Sequence, residues 1–166
     1  MSEAKNYKQI PTGTERGNIM RLIRNYNPLW SKKHLEFFRK YQKSYGIIMT
    51  DAFFNKEFDN ITYGKPTERC NADQQCYEIH VNDLYVGDII IIDNEIDILI
   101  FDEYSGNGYA YSAIKLFVEN YYKCKTSLEA VVRGENCEKD KIKSVLNKLG
   151  FIHNCTSSEG NEIWIY

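Results

Sequence analysis

From residue 77 onward the chain carries a clear hydrophobic rhythm. Tyr77-Glu78-Ile79-His80-Val81 alternates apolar and polar side chains, the period-two pattern of a half-buried strand. Asn82-Asp83 follows as a turn, residues 84–92 make a longer second strand, Asp93-Asn94 a second turn, and residues 95–101 a third strand. Asn and Asp tolerate the left-handed backbone of tight hairpins, so the three strands should run as an antiparallel meander. A polar turn, Ser105-Gly106-Asn107-Gly108-Tyr109-Ala110, then leads into a helix with Ala110, Ala113, Ile114, Phe117 and Tyr121 on one face. Residues 128–132 read as a strand, and a strand reached through a helix is expected beside and parallel to the one before it. Ile142, Val145, Leu146 and Leu149 mark another amphipathic helix stopped by Gly150, and residues 151–157 and 163–166 pair as a closing hairpin.

The first half is less regular. Residues 7–11 read as a short strand. Thr14 can cap a helix whose apolar face is Ile19, Leu22, Ile23 and Tyr26, ended by Pro28. Ser31 caps a second helix, with Trp30 and Leu35 placed as a hydrophobic staple and Leu35, Phe38, Tyr41 and Tyr45 as its buried face. Its outer face is basic (Lys32, Lys33, Arg39, Lys40, Lys43), either solvated or turned to an anionic partner. Residues 47–54 fit strand or helix. Residues 55–75 read as a loop, long enough to be functional or mobile.

The glycine turn is the one stretch with evident binding chemistry. A helix N-terminus offers backbone N–H donors without intrahelical partners and the positive end of the helix dipole, and glycine lets a phosphate approach the backbone closely. With 166 residues, the chain is expected to form one domain, residues 1–75 acting as N-terminal helices and a shaping loop and residues 76–166 as the binding core. A formal net charge of −2 gives no pull toward nucleic acid or anionic lipid, so neither partner is expected. The start is polar, and the most apolar stretch, 88–101, is short and broken by charge, which predicts a soluble cytoplasmic protein. Five irregularly spaced cysteines without a CxxC pair read as free thiols. Cys70 and Cys76 flank a polar loop and could form a disulfide or bind a metal, but no histidine sits near both and no metal is expected.

Three antiparallel strands, a glycine turn, a helix, a strand, a helix ending in Gly-Phe and a last strand pair: this order resembles the GNAT superfamily of N-acetyltransferases. The stretch from Ser105 to Ala110 is similar to its (Gln/Arg)-x-x-Gly-x-(Gly/Ala) acetyl-CoA signature, and Lys148-Leu149-Gly150-Phe151 to its second landmark. Ser144-Val145-Leu146-Asn147 with those residues is most similar to the subgroup acting on protein N-termini and small amines. The resemblance covers residues 77–166 well and the rest by helix order only. It implies an α/β fold with a mixed, mostly antiparallel central sheet, a splayed strand pair and about four flanking helices.

The resemblance also implies acyl transfer from acetyl-CoA to a primary amine of a small molecule or protein, with no metal. Backbone groups of Ile100 and Phe101 would hold pantetheine in the splay. Ser105, Gly106, Asn107, Gly108, Tyr109 and Ala110 would hold the pyrophosphate. Ser105 stands where the family carries Gln or Arg. Leu146 falls where it carries a tyrosine that protonates the departing thiolate. The family's asparagine falls on Lys139 by gapless count, or on Asn136 with an insertion, and Asn136 is then a cofactor-binding residue. Lys139, Lys141 and Lys143 meet the 3′-phosphate or simply face solvent. Glu95 and Asp97, two apart on one strand face, are the candidate bases, with Glu78, Glu129 or a water chain behind them; His34, His80 and His153 read as structural or exposed. Two other readings stay open: a CoA-binding domain that has lost catalysis and serves as a sensor, and a small α/β protein-binding domain without CoA. A homodimer is also left open.

Overall fold

The computed structural model describes residues 13–15, 17–46, 48–69, 73–122 and 127–166. Among them eight strands form one sheet in the order β1-β2-β3-β4-β5-β6-β8-β7. The meander is β3 (Gln74–Val81), β4 (Leu84–Ile92) and β5 (Glu95–Ile100), antiparallel throughout. Asn82, Asp83 and Asp93 take positive φ in its turns, which is what Asn and Asp were expected to supply. α3 (Tyr109–Asn120) then crosses to β6 (Glu129–Val132), which lies parallel to β5. After α4 (Lys139–Lys148), the chain closes with β7 (Ile152–Thr156) and β8 (Glu162–Ile165), β8 lying between β6 and β7.

Two expectations for the first half are corrected. The segment after Thr14 is not a helix. It forms β1 (Gly13–Glu15) and β2 (Asn18–Asn25), joined at Gly17 with φ +78. Ile19, Leu22, Ile23 and Tyr26 do fit a helical spacing, but Met20 and Leu22 also fit period two, and both are buried against α3 while paired to Val81 and Ile79 of β3. Six registered pairs to β3 outweigh a weak local preference. Nor are residues 55–75 all loop: α2 (Asp51–Thr62) runs from Thr50, whose side chain caps Phe53 N–H at 3.2 Å. The strand expected over residues 7–11 and Cys70 lie outside the described residues.

The other N-terminal helix forms as its sequence suggests. α1 (Lys32–Tyr41) starts at Ser31 and runs into a 3₁₀ turn, Gln42–Tyr45, stopped by Gly46 at φ +63. Leu35 and Phe38 are buried together with Phe54 of α2 and with Leu99 and Phe101. The sheet therefore has two cores. α3 and α4 cover one face through Ile114, Phe117 and Leu146; α1 and α2 cover the other. The basic face of α1 finds its partners within the chain: Lys40 pairs with Asp102 at 2.7 Å, Arg39 with Asp51 at 3.1 Å, and Lys33 with Glu103. Among the described residues no helix is long and apolar enough to cross a membrane.

Candidate functional site

β5 and β6 share one registered pair, Glu95 with Glu129. Beyond it they separate, because each follows its other neighbour. β5 stays in register with β4 as far as Ile100, while β6 pairs along its whole length with β8. The opening is a cavity of ≈ 250 Å³ whose walls include Ile96, Asp97, Ile98 and Leu146. Backbone direction settles which β5 groups face it. Phe101 N–H donates to Val86 O of β4 at 3.0 Å, and Glu129 N–H of β6 donates to Asn94 O at 2.8 Å. Along a strand these directions alternate, so the amides and carbonyls of Ile98 and Ile100 point into the opening. Of the two residues expected to present backbone there, Ile100 faces the gap. Phe101 turns its N–H to β4 and its ring to His34 and Tyr85 under α1. Ile98, which the sequence did not single out, is the other β5 residue whose backbone faces the gap.

The glycine turn leads into α3, whose Ala110 and Ile114 line this opening. Ser105 ends a short 3₁₀ turn, Asp102–Tyr104, and Asn107 Nδ2 donates to Tyr104 O at 3.0 Å, closing the loop on itself. Gly106 and Gly108 have φ +80 and +78, and a Cβ on either would meet no atom within 4 Å. These glycines are required by backbone conformation and leave open space over the first turn of α3, the geometry an anion needs. Gly106, Asn107, Gly108 and Tyr109 line a second cavity of ≈ 540 Å³, which also touches Lys115 and Lys148. Ala110 and Asn136 face the gap instead. Ser105 is exposed beside the turn. Of the lysines thought able to meet a phosphate, Lys141 pairs with Glu138, Lys143 with Glu162 and Asp140, and Lys139 Nζ lies 3.4 Å from Gly134 O. Lys115 and Lys148 stand nearer the turn. Lys115 could have been found from the sequence as the cation six residues into the helix.

The four candidate bases separate. Asp97 lines the gap, and burial together with the Glu95 charge pushes its carboxyl up to about 6 against the opposing charge of Arg133. Glu95 lies 3.9 Å from Arg133 Nη2, outside the lining of the gap. Glu78 is on the far side of α1, where its carboxylate accepts from Asn25 Nδ2 at 2.7 Å and meets His80 Nε2 at 3.0 Å. Glu129 pairs with Glu95 at the closed end of the splay. Two further groups at the gap went unrecognised in the sequence. Arg133 leaves β6 and lies against Gly46, where a Cβ would come within 2.8 Å of its guanidinium carbon. Tyr45 lines the gap, and its hydroxyl donates to Ile98 O.

A separate polar cluster lies beneath α1. Asp88 is fully buried and accepts from Arg69 Nη1 at 2.7 Å, His34 Nε2 at 2.7 Å and Tyr85 OH at 2.8 Å. Burial alone would raise its carboxyl, but the His34 hydrogen bond and the Arg69 charge hold it below the usual range. Burial lowers the His34 pKa, and Ser31 N–H donates to its Nδ1 at 3.2 Å. The ring is thus the neutral tautomer carrying its proton on Nε2. The cluster ties α1 and the segment after α2 to the meander, and the Arg69 guanidinium also donates to Cys76 Sγ at 3.0 Å.

No family model and no curated protein sequence matches the chain. Solved structures do. An acetyltransferase from Agrobacterium tumefaciens is 14% identical with a TM-score of 0.56, over 99% of both chains. The N-acetyltransferase PseH of Campylobacter jejuni, in complex with acetyl coenzyme A, is 12% identical with a TM-score of 0.56, over 89% of this chain and 97% of that one. A putative ribosomal-protein-serine acetyltransferase from Vibrio cholerae is 14% identical with a TM-score of 0.54, over 95% and 96%. The chain has the GNAT acetyltransferase fold. At these identities the likeness is one of architecture.

Proposed function

We propose that the protein is an acetyl-CoA-dependent N-acetyltransferase that moves an acetyl group to a primary amine of a small molecule or a protein. The observation that carries this is the junction of the β5–β6 gap with the Gly106–Gly108 turn. Two cavities on either side of the first turn of α3 then offer open space over backbone N–H groups for a pyrophosphate, two strand residues for an extended pantetheine, and a carboxyl poised near neutrality. Residues 105–110, Ile98, Ile100 and Asn136 hold acetyl-CoA. Lys115 and Lys148 supply the positive charge that Ser105 does not. Asp97 takes the proton of the attacking amine, since a base works best with a pKa near the working pH. Residues 1–75 shape the acceptor side and residues 76–166 form the acetyl-CoA core of one domain.

The acceptor class follows the last helix, Ser144 to Phe151, toward protein N-termini and small amines. The test is twofold: calorimetry with CoA, and thiol release from acetyl-CoA against a panel of amines and peptides. CoA binding with turnover on one acceptor supports the reading; no binding overturns it. A second reading has its own observation. Leu146, aliphatic and 2% exposed, lines the gap where an acid tyrosine is expected, which suits a CoA-binding sensor without catalysis. Tight CoA binding with no thiol release from any acceptor would favour that reading.

A further inference from the structure

Leu146 cannot give up a proton, yet a thiolate leaving from the gap needs one. The structure holds another phenol at the same cavity. Tyr45 closes the 3₁₀ turn after α1, and its hydroxyl reaches across to the carbonyl of Ile98 on the open edge of β5. Ile98 and Ile100 are the residues between which an extended thioester arm would lie. A hydroxyl bonded to Ile98 O therefore sits at the arm itself and not behind it.

The position of Tyr45 is fixed from several sides. Its ring packs edge-on against Phe37 and Phe38, with centroids 5.6 and 5.5 Å away. Gly46 closes the turn with N–H bonds to Gln42 O and Lys43 O, and Arg133 lies against it. Met49 N–H donates to the Gln42 side chain at 2.8 Å, holding the far end. Aromatic packing and a tied turn are what preorganise a catalytic group. Burial, with the nearby Asp97 charge, raises the phenol's pKa, so it carries its proton at neutral pH. Asp97 and Tyr45 thus face one cavity as a group that can take a proton near neutral pH and a group that keeps its own, the division of labour seen when two titratable neighbours are driven apart.

We propose that Tyr45 is the general acid of the reaction, taking from the 3₁₀ turn the role that Leu146 cannot fill from α4. The inference rests on the acyl-transfer reading above. The amine nitrogen attacks the thioester carbonyl carbon; a C–N bond forms and the C–S bond breaks. The departing sulfur takes the phenol proton. The proton lost by the amine passes to Asp97 and returns through solvent to the phenolate, leaving amide and free thiol.

The test is Tyr45→Phe, which keeps the ring and removes only the hydroxyl. Three quantities are read in wild type and variant: CoA affinity by calorimetry, kcat with acetyl-CoA, and the rate with S-(4-nitrophenyl) thioacetate, whose thiolate departs without protonation. The expected result is unchanged CoA affinity, kcat with acetyl-CoA lowered about 10²-fold, and a rate on the aryl thioester lowered far less. Equal losses on both thioesters, or weakened CoA binding, would make Tyr45 a packing residue and overturn the proposal. So would an unchanged kcat. If the wild type binds CoA but transfers to no acceptor, the acyl-transfer reading itself fails and the acid role goes with it. The wild-type control separates that case from the others.

Discussion

Replacing Asp97 by Asn should make the protein more stable and less active at the same time. The carboxyl is raised from 3.8 to about 6, by burial first, then by Glu95, with Arg133 opposing. Two pKa units correspond to roughly 3 kcal/mol, a ceiling because part of the side chain reaches solvent. The sign follows from proton counting. The unfolded chain gives up this proton near pH 4 and the folded chain only near pH 6, so between them the folded state binds more protons. Stability contributed by the protonated form is complete below pH 4, falls as pH rises through 6, and the full cost persists above it. Asn carries no charge, so Asp97→Asn should gain up to about 3 kcal/mol at pH 8 and almost nothing at pH 4. For a chain of this size that is a rise in Tm of up to about 6–12 °C at pH 8. If Asp97 is also the base, kcat with acetyl-CoA falls about 10²-fold or more, with CoA affinity unchanged. Glu95→Gln removes the second cause of the raised Asp97 pKa, so it should stabilise in the same direction by less and leave kcat nearly unchanged. Thermal melts at the two pH values and a pH–rate series on the same preparations decide it. Equal destabilisation of the variant at pH 4 and pH 8 would refute the buried-carboxyl argument. A pH–rate profile unaltered in the variant would refute the base.

The remaining predictions concern the turn, the core and the buried cluster. Gly108→Glu forces a side chain onto backbone at φ +78 and sets a carboxylate over the anion site, so CoA binding should be lost, as read by calorimetry; unchanged affinity would remove the turn from the site. Leu146→Ala should cost about 2–5 kcal/mol in urea unfolding while turnover per folded molecule is kept. Loss of turnover at full stability would contradict that. Asp88→Ala leaves the Arg69 charge buried without its carboxylate, and should cost about 3–5 kcal/mol. Because the Asp88 pKa is lowered in the fold, its contribution is present above the unfolded pKa and lost as pH falls through the folded one, so wild type and variant should converge in acid. A constant difference down to low pH would show that the carboxylate charge is not what stabilises the fold.

The second half of the chain was legible because its signals are local. Asn82-Asp83 and Asp93-Asn94 set the meander, Gly150 stops α4, and the glycine turn marks the start of α3. β2 was not legible for a physical reason. Met20 and Leu22 share period-two and helical spacings with their neighbours, and what decides between them is β3, more than fifty residues away. α2 was readable in principle: Thr50 as cap and Phe54, Phe58 and Ile61 at i, i+4, i+7 were all there. The polar content of Asn55, Lys56, Glu57 and Asp59 hid them, although it is only the solvent face. The Asp88 cluster and Tyr45 could not be read locally at all. Asp88 and His34 are 54 residues apart in sequence, and Tyr45 and Ile98 are 53.

That last separation bears on how the gap works. Every buried backbone N–H and C=O needs a partner, and separation from β6 removes the sheet's own supply from Ile98 and Ile100. Pairing persists at Glu95 and goes no further, while β6 stays paired along its other edge with β8. The β5 edge is thus left with polar groups that must be met from outside the sheet. Tyr45 meets one of them, Ile98 O, by a side chain from the opposite core. An extended amide arm would meet the same edge by adding itself as a short strand, the way a peptide adds to an open sheet. The Tyr45 hydroxyl and such an arm then compete for one carbonyl. When the arm wins, the Tyr45 hydroxyl is freed to donate to another acceptor beside Ile98, which under the acid role proposed above would be the thioester sulfur. The splay that opens the cavity therefore also decides where an acid can stand. This explains how a chain with leucine on α4 can keep a phenol at the gap by recruiting it from the turn after α1.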